Sequence, residues 1–505
     1  MKMNRIIFLT LSVSMISCSL IAQKISSRVV DKKTNQPIPY ATIQIGENQG
    51  VVTNEEGSFS ITIDEIQSKI DSIYISSMGY EKVGVSVQNI TDSIIYIQPK
   101  AIALKSVFIS NKNLDIDDII DNVDDKMEDN YRVDLAKKRL FFRETNTNFI
   151  KKIDIEFKKS TIEEIDEKLV DSISRVIPRN SVFYAEALCD FYGNTDKQKL
   201  KVIKGARLYD KNNNGSIEGV FKKMEKIFKD NVKPNSYIKI RSGLFSQKVQ
   251  VDSILKANQD AKDIADGIEN PKENFFFKSR KMNLKNLFNE TFYQSDTKLN
   301  VIKNSGRYIF ERVDYTILDD VGVYVIKFTP KRRGDFKGTL YVNTEDFAVI
   351  RIDYQNVKRL RSFNLLGLSF EENGYSGTTI FMKGADGKYG VKFIEKVTEN
   401  KFGVDRPLSI IEKNKFVKGR NKQNQLSLDL DVISYAKNKY EVIVFDAQKI
   451  TEAEYNSSKE NKNVESTYLS KYNPDFWKGY NIIEPNTAIK QFKVIEENTD
   501  DDIEE

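Results

Sequence analysis

ATIQIGENQGVVTNEEGSFSITI, residues Ala41 to Ile63, is the stretch that decides how the chain begins. Ala41, Ile43 and Ile45 alternate with polar neighbours, and so do Phe59, Ile61 and Ile63, so each set lines one face of a strand. Gly46 to Asn48 and Asn54 to Gly57 are turn chemistry, the second ending on a glycine that accepts positive φ. Gly50 to Thr53 makes a short strand between them. Working outward, Ile25 to Val30 is a strand before the turn Asn35 to Pro39, and Ser72 to Ser76 and Gly84 to Val87 are strands beyond. Short strands at this spacing predict an all-β sandwich over residues 24–110, with Phe59 and Tyr80 as packing residues.

The order Val30-Asp31, Pro37 to Ile43, Gly50 to Thr53, Asn54 to Phe59 and Ser76 to Tyr80 resembles the carboxypeptidase regulatory-like domain. That resemblance implies a transthyretin-like sandwich of seven strands, used as an accessory or interaction module and not as a peptidase. Asn54 stands where the family usually carries an aspartate. Ile102 to Val107 resembles the strand that closes the module in Bacteroidota proteins. Further on, Asn130-Tyr131, Phe142-Arg143-Glu144, Tyr184 to Ala187, Ile203-Lys204-Gly205 and Tyr237 to Phe245 are similar to segments of exported Bacteroidota proteins that follow the same module. That family brings no activity to carry over.

Residues 111–300 read as a mixed helix and strand region. Ile116, Ile119, Ile120, Val123 and Met127 share one face of a helix over Leu114 to Asn130, opposite a solvated aspartate face. Ser160 and Glu163 have capping-box spacing ahead of Ile162, Ile165, Leu169 and Ile173, and Phe221 to Asp230 reads as another helix. Asp210 to Ile217 matches the first eight positions of a calcium loop, with Gly215 at the turn. Phe221 occupies the position that requires a bidentate glutamate, so the Asp210–Gly215 loop is assigned no metal.

Residues 301–455 read as an antiparallel sheet. Arg307 to Leu318, Gly322 to Thr329, Gly338 to Asn343 and Phe347 to Gln355 follow a period of two, and Thr378 to Met382, Tyr389 to Val397 and Glu441 to Phe445 are later strands. Gly338 to Tyr354 resembles part of the sheet of periplasmic lipoprotein carriers, a curved half-barrel that holds acyl chains. Residues 456–505 read as a linker, Tyr455 to Ser466, and a tail in which Trp477 packs on its own domain. The fold class expected is therefore mainly β with α+β: a β-sandwich, a helix-containing region and a large antiparallel sheet.

Lys2 and Arg5, the apolar run Ile6 to Ile21 and the small residue Ala22 form a signal peptide over residues 1–22. The chain is then exported, periplasmic or outer-membrane associated, with no transmembrane span after cleavage. Met15-Ile16-Ser17-Cys18 resembles a lipobox, which gives a lipoprotein anchored through Cys18 as the alternative. Removing the leader takes the net charge from +5 to +3, with both signs interspersed, so nucleic acid is not a partner. Cleavage after Ala22 leaves Cys189 alone in an apolar setting, a core residue and not a nucleophile.

The chain has no histidine. This excludes Ser-His-Asp and Cys-His catalysis and the His-based zinc and haem sites. No catalytic, cofactor or metal residue is assigned and no cofactor is expected. The function expected is a non-catalytic binding or scaffolding protein of the envelope with a protein partner. A lipid or lipoprotein carrier and a His-free carboxylate enzyme are the alternatives.

Overall fold

The computed structural model describes residues 23–45, 49–63, 71–90, 94–100, 114–210, 223–233, 236–251, 275–318, 321–414 and 421–494. The leader with Cys18, the closing strand expected at 102–107 and most of the Asp210–Gly215 loop lie outside these residues. The chain divides into two compact units: Met1–Ala101 with Asn473–Thr487, and Ile102–Tyr472 with Ala488–Glu505.

The first unit contains β1 (Gln23–Asp31), β2 (Thr42–Ile45), β3 (Gln49–Val52), β4 (Ser58–Ile63), β5 (Ser72–Ser76), β6 (Val83–Ser86) and β7 (Ile94–Ile97). They form two sheets, β4-β1-β7 and β3-β2-β5-β6, so the seven-stranded sandwich read from the sequence is present. The alternating residues Ile43, Ile45, Phe59, Ile61, Ile73 and Ile75 are buried, which is the physical content of the period of two. Gly57 is required: its φ is +74°, and a Cβ there would lie 2.6 Å from the Val29 carbonyl.

The second unit contains β8 (Ala136–Ser160), β9 (Asn180–Gly193), β10 (Gln198–Tyr209), β11 (Tyr237–Ser242), β12 (Phe245–Gln250), β13 (Tyr308–Leu318), β14 (Val321–Pro330), β15 (Phe336–Asn343), β16 (Val349–Asn356), β17 (Arg361–Leu365), β18 (Leu368–Lys383), β19 (Tyr389–Lys413), β20 (Lys422–Lys449) and β21 (Thr467–Leu469). All belong to one 14-stranded sheet. Its main path is β13-β14-β15-β16-β18-β19-β20-β8-β9-β10-β21. Strands from both sides of residue 300 therefore lie in the same sheet. β17 adds to β18, and the β11–β12 hairpin adds to β19.

β19 and β20 run far beyond the segments predicted from the sequence. Bulges between Ile433 and Ser434 and between Val444 and Asp446 interrupt the β20–β8 register, which is how strands of this length bend. Helices among the described residues include α1 (Ile116–Asp125), α2 (Glu167–Val176), α3 (Phe275–Asn289) and α4 (Glu452–Ser457); residues 223–231 are also helical, and the last turn of the helix expected over Leu114 to Asn130 is a separate short helix, Met127–Asn130. α1 follows the expected pattern, burying Ile119, Ile120 and Val123. α2 departs from the capping box expected at Ser160. Its N-cap is Asp166, which accepts from the Leu169 amide at 2.8 Å. Ser160 instead ends β8, where its hydroxyl accepts from the Ile162 amide at 3.0 Å. The apolar side is as read: Ile162, Ile165 and Leu169 are buried in one cluster with Ile227.

α3 lies on the sheet with Phe276, Phe277, Leu284 and Leu287 buried. Its approach explains Gly205 of β10, where a Cβ would come within 2.8 Å of the Phe276 ring. The stretch Tyr455 to Ser466, expected as a linker, starts in α4, which has a Thr451–Glu454 capping box, and then follows β10. The Asn461 side chain bonds the Val202 amide at 2.8 Å and the Val202 carbonyl at 2.5 Å.

Candidate functional site

The centre of the large sheet is charged. Arg143 and Glu144 follow Leu140-Phe141-Phe142 on β8, and register sets Arg143 opposite Glu186 of β9 and Glu441 of β20. Directly opposed residues share a face, so these three meet on one side while Glu144 and Tyr440 lie on the other. Arg143 donates from Nε to Glu186 Oε1 at 2.7 Å, and its Nη1 lies 3.9 Å from Glu441 Oε2. Arg143 is 1% exposed. Burial alone would pull its pKa down, but Glu186 and Glu441 outweigh that and hold it above the ordinary arginine value.

On the other face Arg280 of α3 pairs with Glu144 Oε2, which also accepts from Asn283 Nδ2 at 2.9 Å. The Arg280 guanidinium lies 5.4 Å from the Phe142 ring and 5.3 Å from the Phe276 ring. Burial lowers its pKa against the pull of Glu144. Its Nε and Nη1 have no hydrogen-bond acceptor among the described residues. Farther along, Glu290 pairs with Lys396 and accepts from the Tyr375 hydroxyl at 2.9 Å. Glu144, Glu186 and Glu290 are thus each held against a buried cation. Cys189 is fully buried, and burial pushes its thiol pKa well up, away from the thiolate that nucleophilic chemistry needs.

Three cavities among the described residues bear on ligand binding. One of about 740 Å³ has an acidic wall of Asp124, Asp125, Glu128 and Asp129, with Tyr293 and Lys303. An apolar one of about 120 Å³ is lined by Ile162, Ile165, Met224, Ile227, Ile410 and Leu426. A smaller one of about 40 Å³ has Lys138 in its wall between Phe191 and Phe288, with Nζ 5.5 and 5.2 Å from the two rings. Burial, and then the charge of Arg132, bring the Lys138 pKa down to about 8.

In the sandwich the motif residues are structural. Asp31 accepts from the amides of Lys33 and Thr34 at 2.7 and 2.9 Å and from the Tyr80 hydroxyl at 2.8 Å. The Thr34 amide is the main cause that holds its carboxyl low. The Thr53 hydroxyl joins Ile38 and Ala41, donating at 2.8 Å and accepting at 2.9 Å. Asn54 does two jobs. Its Oδ1 accepts from the amides of Glu56 and Ser58, both at 2.9 Å, and its Nδ2 donates to the carbonyls of Glu484 and Pro485 at 3.1 and 3.3 Å. The same distal segment caps β4, an edge strand: the Thr62 amide donates to Asn481 Oδ1 at 2.8 Å. Trp477, Ile482 and Ile483 of this segment are buried, so the tail residue Trp477 belongs to the sandwich unit.

Among the described residues no group of three His, Cys, Asp or Glu side chains is placed to hold a metal, and no helix is long and apolar enough to cross a membrane. The ion network and Lys138 escaped sequence reasoning. The signal was present at Arg143-Glu144, two charges directly after an apolar run, since buried charges must pair.

Residues 25–109 match the family model of the CarboxypepD_reg-like domain. That domain is a regulatory, non-catalytic β-sandwich type. No curated protein matches the sequence. Two solved structures show a distant likeness. One is an outer membrane lipoprotein-sorting protein domain from Vibrio parahaemolyticus, at 7% identity and a TM-score of 0.19, covering 67% of this chain and 95% of that one. The other is the Pseudomonas aeruginosa MucA/MucB complex, at 6% identity and a TM-score of 0.15, covering 66% and 98%. At these TM-scores neither carries an argument.

Proposed function

We propose that this chain is an exported, non-catalytic binding or scaffolding protein of the cell envelope, with the CarboxypepD_reg-like sandwich as its interaction module. One observation carries the reading: at the charged centre of the large sheet Arg143 is paired with Glu186 and Glu144 with Arg280. The leader Met1–Ala22 supports export. The sandwich offers Tyr74 on β5, and Ile94 and Tyr96 on its edge strand β7, as exposed apolar side chains for a partner.

The carrier reading is not favoured. It needs a sizeable apolar cavity under the sheet; among the described residues the apolar cavity holds about 120 Å³, short of the ~300 Å³ at which small-molecule pockets begin, and the larger one of about 740 Å³ is lined by Asp124, Asp125, Glu128 and Asp129. The test is to express the full chain with its own leader, fractionate the cell, and place a photo-crosslinking residue at Tyr74 or Tyr96. The expected result is a processed chain in the envelope fraction and a discrete crosslinked protein. An unprocessed cytoplasmic chain, or no adduct from either position, would overturn the proposal.

A further inference from the structure

Two hairpins of the large sheet end in exposed leucines. The β11–β12 turn places Leu244 beside Gly243, which has φ +58°, and Leu244 is 87% exposed. The β17–β18 turn places Leu366 (φ +51°) before Gly367 (φ +78°), the two positive φ values of a type I′ turn. Asparagine is the residue suited to the first of these positions, and leucine is strained there. An apolar side chain is thus held at an exposed tip against local preference, and strain of that kind points to function. All five residues of β17 are exposed, including Phe363 and Leu365.

Adjacent residues of β19 hold the two turns together. Arg406 donates from Nη2 to the Ser242 carbonyl, with its guanidinium 4.9 Å from the Phe245 ring. The Asp405 amide donates to the Gly367 carbonyl at 2.7 Å. The two hairpin stretches carry cations, although Asp405 of β19 stands beside the Gly367 turn. Tyr237–Gln250 carries Lys239, Arg241 and Lys248 and no acid, and 356–370 carries Lys358, Arg359 and Arg361 and no acid. Lys358, Arg359 and Arg361 lie 2.9, 3.4 and 3.9 Å from Asp335, Glu371 and Glu372, so the cations that reach the tips are those of the β11–β12 hairpin.

We infer that this end of the large sheet docks on an anionic lipid surface, with Leu244 and Leu366 entering the interface and Lys239, Arg241 and Lys248 of the β11–β12 hairpin meeting the headgroups. Apolar tips flanked by cations match a membrane interface in both respects. Protein hot spots sit in packed, desolvated pockets, whereas these side chains occupy convex turns. The inference concerns the second unit alone and is separate from the role proposed for the sandwich.

The test is co-sedimentation of the chain beginning at Gln23, which has no acyl anchor, with mixed phosphatidylethanolamine–phosphatidylglycerol vesicles and with pure phosphatidylcholine vesicles. Binding is expected to the anionic vesicles, weakening as salt rises. The double variant Leu244→Ser, Leu366→Asn is expected to unfold at the native temperature or above, because asparagine suits the turn. Its vesicle affinity is expected to fall by about tenfold or more. Equal binding to both vesicle types would overturn the inference, as would a folded double variant that binds like the native chain. A photo-crosslinker at Leu244 that captures a protein while the chain ignores vesicles would overturn it too.

Discussion

Asn54 sits where the regulatory-like family usually has an aspartate, and its surroundings explain the change. Aspartate would still accept from the Glu56 and Ser58 amides, but it would turn a carboxylate oxygen towards the Glu484 and Pro485 carbonyls. Asn54→Asp is expected to destabilise the sandwich unit by about 1–3 kcal/mol and to expose Tyr480 to Thr487 to protease, read by thermal unfolding and limited proteolysis. Unchanged protection of that segment would show that the amide does not hold it. A buried ion pair behaves differently. Glu186→Leu removes the close carboxylate of Arg143 and leaves Glu441 farther off, and a loss of roughly 3–5 kcal/mol is expected in denaturant unfolding.

At the scale of elements, the short sandwich strands were legible because one face of each is buried and the other is not. The long strands were not. Distal β20 is half-buried at most positions, so no clean alternation marks it, and only Glu441 to Phe445 stands out. The register that brings Arg143 to Glu186 is set by strand pairing, which local pattern does not encode. The start of α2 illustrates the same limit. Ser160 and Glu163 have the spacing of a capping box, but β8 continues through Ser160 and Asp166 takes the role. Asp166→Ala is expected to cost about 1 kcal/mol in unfolding free energy, and Glu163→Ala less than about 0.5 kcal/mol. The reverse order would restore the sequence-based start.

At the scale of the molecule, buried titratable groups set how stability follows pH. Burial lowers the pKa of Lys392 to about 8, as it does for Lys138. An unfolded lysine keeps its proton to about pH 10.4. Between these values the unfolded chain binds more protons, so stability rises with pH, by roughly 1–3 kcal/mol for Lys392 from about pH 8 to 10. Above about pH 10 the sign reverses. Burial holds the Tyr131, Tyr354 and Tyr375 hydroxyls above the usual tyrosine range, so the unfolded chain loses those protons first. Guanidinium unfolding across this range should show a maximum that Lys392→Met flattens on its lower side.

The central claim is that the charged centre of the sheet is structural and that the chain acts by binding. The most direct measurement replaces Arg143 and Glu186 together by methionine and leucine and repeats the envelope crosslinking from Tyr74 and Tyr96. Glu441 keeps a partner in that variant, since Lys439 lies 3.7 Å away. Apolar residues of similar volume commonly replace a buried pair without loss of stability. The account predicts a folded variant that reaches the envelope and gives the same crosslinked protein in the same yield. A variant that folds and is exported normally but no longer gives that adduct would contradict it, because the charges would then be needed for function and not for the fold.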